Sequence, residues 1–156
     1  MEQWDSQGTR RDRRTISVLG LDVGSRRIGV AGCDRTGLIA TGLTTIDNKS
    51  FAHVKEQLGQ IVRQREATLL VVGLPYTLDG SFGAQARRVQ KFAKRLAKAL
   101  DLPVTYMDER LTSVEAEQQL QAERRPVAKN KGLIDRRAAA IILQQWLDRS
   151  RTNSDT

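Results

Sequence analysis

The run ISVLGLDVGSRRIGVAGC, residues 16–33, decides how this chain folds. Residues 16–21 are a short apolar run ending in Asp22, and residues 28–33 are a second, with Val23-Gly24-Ser25-Arg26-Arg27 between them. Short apolar runs bounded by Gly and polar residues read as strands. A connection this short predicts antiparallel pairing. A weaker apolar stretch at 38–46 adds a third strand to the meander.

Beyond the meander the period changes. Phe51, Val54, Leu58, Ile61 and Val62 recur at helical spacing over 50–65, and Leu69-Leu70-Val71-Val72 follows as a fully apolar strand of the buried, parallel kind. A long helix over 82–100 turns Ala86, Val89, Phe92, Ala93, Leu96 and Leu100 inward, and presents Arg87, Arg88, Lys91, Lys94, Arg95 and Lys98 outward. A strand at 103–107, a short helix at 113–122 and a last helix at 133–148 complete the pattern. Three antiparallel strands followed by alternating helices and strands make a mixed α/β sheet, the ribonuclease H-like plan. Residues 1–15 carry no apolar periodicity and are expected to form a disordered leader, with 150–156 a disordered tail and 16–149 one folded domain.

Composition bounds the chemistry. The 156 residues hold 26 Lys and Arg against 18 Asp and Glu, a formal charge of +8 that favours a polyanionic partner, with nucleic acid the leading class. Aromatic content of 4% argues against a base-stacking platform and for a grip on the phosphate backbone. The lone Cys33 allows no internal disulfide and suits a reducing cytosol, so the expected compartment is cytoplasmic. The first fifteen residues lack the apolar core of a signal peptide, and no apolar run approaches the ~18 residues of a membrane span.

Three acidic positions stand out by place. Asp22 closes an apolar strand, where open α/β sheets commonly put their chemistry; the competing role is a turn aspartate bonding the backbone ahead of Gly24. Asp108 and Glu109 close the 103–107 strand, and side-chain alternation lets only one of them share the side of Asp22. Asp135 continues the stripe formed by Ala138, Ala139, Ile142 and Trp146, so it either points toward the core side or caps the last helix. Three convergent carboxylates repel one another and call for a cation, with Mg²⁺ or Mn²⁺ best matched to hard oxygen donors. Two such ions activate water in phosphodiester hydrolysis without a catalytic histidine. The single histidine, His53, reads as a surface or packing residue, and ligands for zinc are lacking.

Candidate phosphate contacts are Arg26 and Arg27 in the first hairpin, Arg110 beside the acidic pair, and Arg124, Arg125, Lys129 and Lys131 in a basic, aperiodic segment around Pro126. The basic face of the 82–100 helix either extends that footprint or simply solubilises the surface. The segment at 73–83 is Gly-rich but lacks Gly-Lys-Ser/Thr, which excludes a P-loop.

These motifs together resemble the YqgF family, also called RuvX, of Holliday junction resolvases and ribosomal RNA processing nucleases. The resemblance runs from Gly20-Leu21-Asp22-Val23-Gly24-Ser25-Arg26-Arg27-Ile28-Gly29-Val30-Ala31 through Val71-Val72-Gly73-Leu74-Pro75 and Asp79-Gly80-Ser81 to Asp108-Glu109-Arg110-Leu111-Thr112-Ser113. It ends at Asn130-Lys131-Gly132, Ile134-Asp135 and Ala138-Ala139. It implies a ribonuclease H-like fold, a catalytic divalent-metal site at Asp22, Glu109 and Asp135 with Asp108 as the alternative to Glu109, and a nucleic-acid substrate. That substrate is precursor 16S ribosomal RNA, cut during maturation of its 5′ end, or branched DNA. Ribosomal assembly intermediates are the implied setting. Better-known junction resolvases of this fold place an acid after the fourth strand and two in the last helix. Here Gly73-Leu74-Pro75 and Ala138 stand at those places, which implies a leaner metal site.

Two other classes compete. An actin- or sugar-kinase-type ATPase shares the Asp and Gly after the first strand but needs two such domains to clamp a nucleotide. A non-catalytic nucleic-acid-binding adaptor needs none of the carboxylates. A junction resolvase needs two sites related by two-fold symmetry, yet no sequence feature demands a dimer, so monomer and homodimer both stay open.

Overall fold

The computed structural model describes residues 3–4, 10–11, 16–75, 82–108 and 131–154. Strands β1 (Gln3–Trp4) and β2 (Arg10–Arg11) pair antiparallel with each other, so the leader expected to be disordered carries a short ladder of its own. The main sheet contains β3 (Val18–Val23), β4 (Arg27–Cys33), β5 (Ala40–Asp47), β6 (Leu69–Leu74) and β7 (Val104–Asp108). Its order is β5-β4-β3-β6-β7: the meander is antiparallel, and β6 and β7 add in parallel beyond β3. Helices α1 (Phe51–Arg65), α2 (Ala84–Leu100) and α3 (Lys131–Ser154) cover the sheet. This is the mixed α/β plan of a ribonuclease H-like fold. The expected helix at 113–122 lies outside the described residues.

Alternation along the strands divides the core in two. Leu19, Leu21, Ile28, Val30, Leu70 and Val72 pack beneath α1 and α2, against Val54, Leu58, Ala93 and Leu96. Val18, Ala31, Cys33, Val71 and Met107 point the other way, against Ala139, Ile142, Leu143 and Leu147 of α3. The last stripe is the one the sequence predicts, and Ala138, Ala139 and Ile142 are indeed almost wholly buried. Both faces of β3 are therefore covered, which is why its sequence is apolar at nearly every position.

Local signals set the helix ends. The Ser50 side chain caps α1 by accepting the His53 backbone N–H at 3.1 Å, and Glu66 ends that helix in the left-handed region. Gly83 stands at the N-cap of α2, and Asp101 closes it with φ of 57°.

The tail departs from expectation. Helix α3 continues to Ser154, where the sequence reading ends it at 148 and places a disordered tail at 150–156. No Gly or Pro stops the helix, and Arg151 anchors its end. The Arg151 guanidinium pairs with Asp148 one turn back at 2.5 Å and donates to the Gly37 and Leu38 carbonyls at 3.1 and 3.3 Å. Gln144 adds a second tie to this turn, donating to the Leu38 carbonyl and accepting from the Ala40 N–H.

Candidate functional site

Asp22 lies near the C-terminal end of β3 and pairs directly across the ladder with Gly29 of β4. Directly opposed residues of an antiparallel pair project to the same face. That face is the α3 side, because a Cβ built on Gly29 would lie 1.9 Å from the Asp135 carbonyl oxygen. Any side chain at 29 would push the helix away; glycine lets the backbone of α3 rest on the sheet beside Asp22. One turn deeper, a Cβ at Gly20 would meet the Leu143 Cβ at 2.7 Å and the Ala139 carbonyl at 2.9 Å. Two strand glycines thus seat α3, and the seat brings Asp22 and Asp135 to one end of one face.

The Asp135 side chain is about one-fifth exposed, and its Oδ2 accepts a 2.5 Å charge-assisted bond from Arg27 Nε. The capping role for Asp135 fails, because α3 already begins at Lys131 and leaves Asp135 inside the helix. Arg27 and Arg26 differ in their surroundings. The sequence offers Arg26 and Arg27 as equivalent phosphate contacts, but Arg27 is the first residue of β4, on the α3 face, and engages Asp135. Arg26 is exposed at the hairpin tip. The hairpin is closed by the Gly24 N–H donating to the Arg27 carbonyl at 2.9 Å, and Asn48 braces it by donating its side-chain amide to the Gly24 carbonyl at 2.9 Å.

Alternation along β7 resolves part of the acidic pair. Val104 and Tyr106 pack on the α1/α2 side while Met107 packs under α3, so Asp108 falls on the side away from Asp22. Asp108 is exposed and pairs in register with Leu74. Glu109 itself lies outside the described residues, as do Arg110, Arg124, Arg125 and Lys129; Lys131 opens α3. Among the described residues no three His, Cys, Asp or Glu side chains gather closely enough to hold a metal ion. Asp22 and Asp135 lie on the same face of the sheet, and their carboxylates are hard oxygen donors, the chemistry that Mg²⁺ or Mn²⁺ requires.

Sequence reading missed the residues that position Asp135. Thr45 Oγ1 donates to the Gly132 carbonyl at 2.6 Å and accepts from Arg136 Nε at 3.3 Å, stitching the start of α3 to β5. The one available signal was a polar Thr in the alternation of β5; its partner stands 87 residues away in the chain.

Comparison with known proteins bears on this arrangement. A family model described as RuvX, Holliday junction resolvase, matches residues 16–149. A Trichormus variabilis protein named "Putative pre-16S rRNA nuclease" is 64% identical over 141 residues, covering 90% of this chain and 93% of the relative. A Synechocystis protein of the same name is 59% identical over 140 residues, covering 90% and 92%. Among solved structures, Thermus thermophilus RuvC in complex with a Holliday junction substrate superposes with a TM-score of 0.57 at 14% identity, covering 88% of this chain and 97% of that one. RuvC alone gives 0.53 at 12% identity, a likeness of fold. The match across residues 16–149 and the identity to these relatives place this chain in the RuvX family.

Proposed function

We propose that this protein is a divalent-metal-dependent nuclease that hydrolyses phosphodiester bonds during maturation of the 5′ end of precursor 16S ribosomal RNA. The observation that supports the reading is that the α3 backbone at Asp135 rests on Gly29, the ladder partner of Asp22, so that both acids belong to one face of the sheet. The names borne by relatives at 59–64% identity supply the substrate, and the charge of +8 suits it. Glu109 is the third acid of the proposal. It is the residue that the family resemblance carried by Asp108-Glu109-Arg110 implies, with Asp108 as the alternative.

Asp22, Glu109 and Asp135 would hold Mg²⁺ or Mn²⁺, which when bound supplies an activated water and stabilises the leaving oxygen. The chain's own residues do the rest. Asp22 is carried by the central strand, while Arg27 holds Oδ2 of Asp135. Arg26, exposed at the hairpin tip beside this end of the sheet, is placed to grip a substrate phosphate. Arg110, Arg124, Arg125, Lys129 and Lys131 extend that basic contact in the proposal, and the cytoplasm is its setting.

A second reading, a Holliday junction resolvase acting on branched DNA, is favoured by the description of the family model. The test uses purified protein, Mg²⁺ or Mn²⁺, a labelled precursor 16S 5′ fragment and a labelled four-way DNA junction. Metal-dependent RNA cutting that Asp22→Ala and Asp135→Ala both abolish, with binding retained, is the expected result. Symmetric cutting of the junction instead establishes the resolvase. Binding of both without cutting of either makes the protein a nucleic-acid-binding adaptor.

A further inference from the structure

On the opposite side of the sheet from Asp135, the turn after β3 and the first half of α2 enclose a cleft of about 280 Å³. Val23, Val89 and Phe92 form its apolar wall, and Ser25, Gln85 and Arg88 its polar rim. Gly24 and Asn48 complete the lining, held to each other by the Asn48 amide bond to the Gly24 carbonyl. The Phe92 ring is locked edge-to-face on Phe51, at 6.0 Å between centroids and 82° between planes, and Arg95 covers the Phe51 ring at 3.8 Å. One wall therefore includes an aromatic ring that is itself packed against a second. Gln85 and Arg88 are exposed on the rim, and neither bonds another described residue.

Helix α2 gives the surroundings their charge. Its sequence AQARRVQKFAKRLAKAL contains six Lys and Arg and no acid. At 100° per residue, Arg87, Arg88, Lys91, Lys94, Arg95 and Lys98 fall on one arc, and all are exposed. Arg88 belongs to both the arc and the cleft rim.

A cleft near the ~300 Å³ lower bound for small-molecule pockets holds a single planar ring system rather than an extended ligand. An aromatic wall, an amide with both donor and acceptor, and a guanidinium suit a nucleobase: ring stacking is indifferent to sequence, and Gln offers a two-point edge contact. An acidic peptide would satisfy the arc and leave the apolar wall unfilled. Val23 and Gly24 directly follow Asp22, so the cleft opens at the same strand end as the carboxylates.

We infer that this cleft binds one unstacked nucleobase of a nucleic-acid strand, while the α2 cations hold neighbouring phosphates. The inference rests on the nuclease reading for its choice of strand and is independent of cleavage. The strand wraps the C-terminal end of β3, with its phosphodiester at Asp22 on one side and a base gripped on the other.

Binding of the full chain is measured with Ca²⁺ as the added cation, to a precursor 16S 5′ fragment and to a four-way DNA junction. Each carries an abasic site walked one nucleotide at a time. For at least one of these probes, an abasic site at one position is expected to raise Kd about tenfold, as loss of a stacked base does. Gln85→Trp, which fills the mouth from an exposed helical position, should bind the intact strand about tenfold more weakly and lose the positional effect. Arg88→Gln should show the same loss in milder form, and thermal melting of both variants should match the parent. Lys94→Gln with Lys98→Gln should weaken every probe alike and reduce the single-strand salt slope by about 1.4.

Equal tolerance of every abasic position overturns the inference, as does a positional effect that survives Gln85→Trp, or no binding of either probe. Competition by free nucleoside monophosphate without any positional effect also overturns it, in favour of a mononucleotide site. A positional effect without metal-dependent cleavage upholds the base site while removing the nuclease reading.

Discussion

The two faces of the sheet are built on opposite principles. Under α1 and α2 the strands project Leu19, Leu21, Val30, Leu70 and Val72, and large side chains hold the helices off the backbone. Under α3, Gly20 and Gly29 remove side chains, so that the helix backbone itself touches the sheet. The first face contributes apolar burial; the second forgoes part of it for close approach, and close approach is what seats the α3 backbone at Asp135 on Gly29, the ladder partner of Asp22. Stability and site geometry are thus separable by face.

Substitution on each face is the sharpest way to break the contrast. Gly29→Ala forces a Cβ into the Asp135 carbonyl, a backbone contact with nowhere to yield, and should destabilise by about 3 kcal/mol, the upper part of the usual range for overpacking. Leu58→Ala, in the fully buried core under α1, should cost about 2–5 kcal/mol. Denaturant titration will not tell them apart; divalent-cation binding by calorimetry will. Gly29→Ala should lose cation binding even where it remains folded, and Leu58→Ala should keep it. Equal cation affinity in the two folded variants ends the proposed division of labour.

Arg27 refines the comparison to one side chain. Partners that hold a metal-binding carboxylate typically contribute about 10–100-fold in metal affinity, so Arg27→Met should weaken Mn²⁺ binding on that scale, with Arg27→Lys recovering part. Arg26→Met should leave Mn²⁺ affinity alone and weaken nucleic-acid binding in a salt-dependent way. Should Arg27→Met instead spare metal binding and weaken only nucleic acid, Arg27 belongs with the phosphate contacts that its sequence suggests.

That pair also shows where sequence reading stops. The strand order, the antiparallel meander and the switch to parallel strands follow from local period, since each apolar run carries its own signal. The inward stripe of α3 was legible for the same reason, with Asp135 at its head. Arg26 and Arg27 look alike in a sequence because their difference is one of pairing. Arg27 enters the β4 ladder opposite Asp47, and the side of the sheet it then faces holds a residue 108 positions away. The alternative between Asp108 and Glu109 narrowed only once the β7 register was known. Gly29 appeared as a motif residue, but its reason, a helix carbonyl within van der Waals reach, lies in tertiary packing. The α2 cleft left no local signal, because it joins residues from a turn, a strand end and a helix.

The α1/α2 face buries the hydroxyl of Tyr106, whose removal is a smaller test. The Tyr106 hydroxyl is buried without a hydrogen-bond partner among the described residues, and burial pushes its pKa up. An unpaired buried hydroxyl carries a desolvation cost, so Tyr106→Phe should hold or raise stability, by up to about 1 kcal/mol in thermal or denaturant unfolding. A clear loss of stability would mean that the hydroxyl is satisfied and that this face is less purely apolar than the contrast claims.

The α3 face has its own far end, and pH tests it most gently. At the turn between β4 and β5, Asp34 accepts the Ile39 and Leu38 backbone N–H groups at 2.9 and 2.8 Å, and also the Thr36 hydroxyl. The Ile39 bond first, then the Thr36 hydroxyl, hold its carboxyl down at about 2. A depressed acid stabilises the fold above its unfolded value of ~3.9 and loses that contribution as pH falls through the folded value. The contribution should be complete at neutral pH, decline below about pH 4 and vanish near pH 2, small because Asp34 is exposed. The same turn receives Gln144 and Arg151 from the end of α3, so its acid loosening should reach those contacts first. Amide exchange near pH 3 should then rise in the 34–39 turn and the last turns of α3, while the Gly29–Asp135 seat stays protected. Asp34→Asn should show that pattern already at neutral pH. Simultaneous opening of both ends would mean that α3 docks as one rigid unit, and that its glycine seat and its polar anchor cannot be separated.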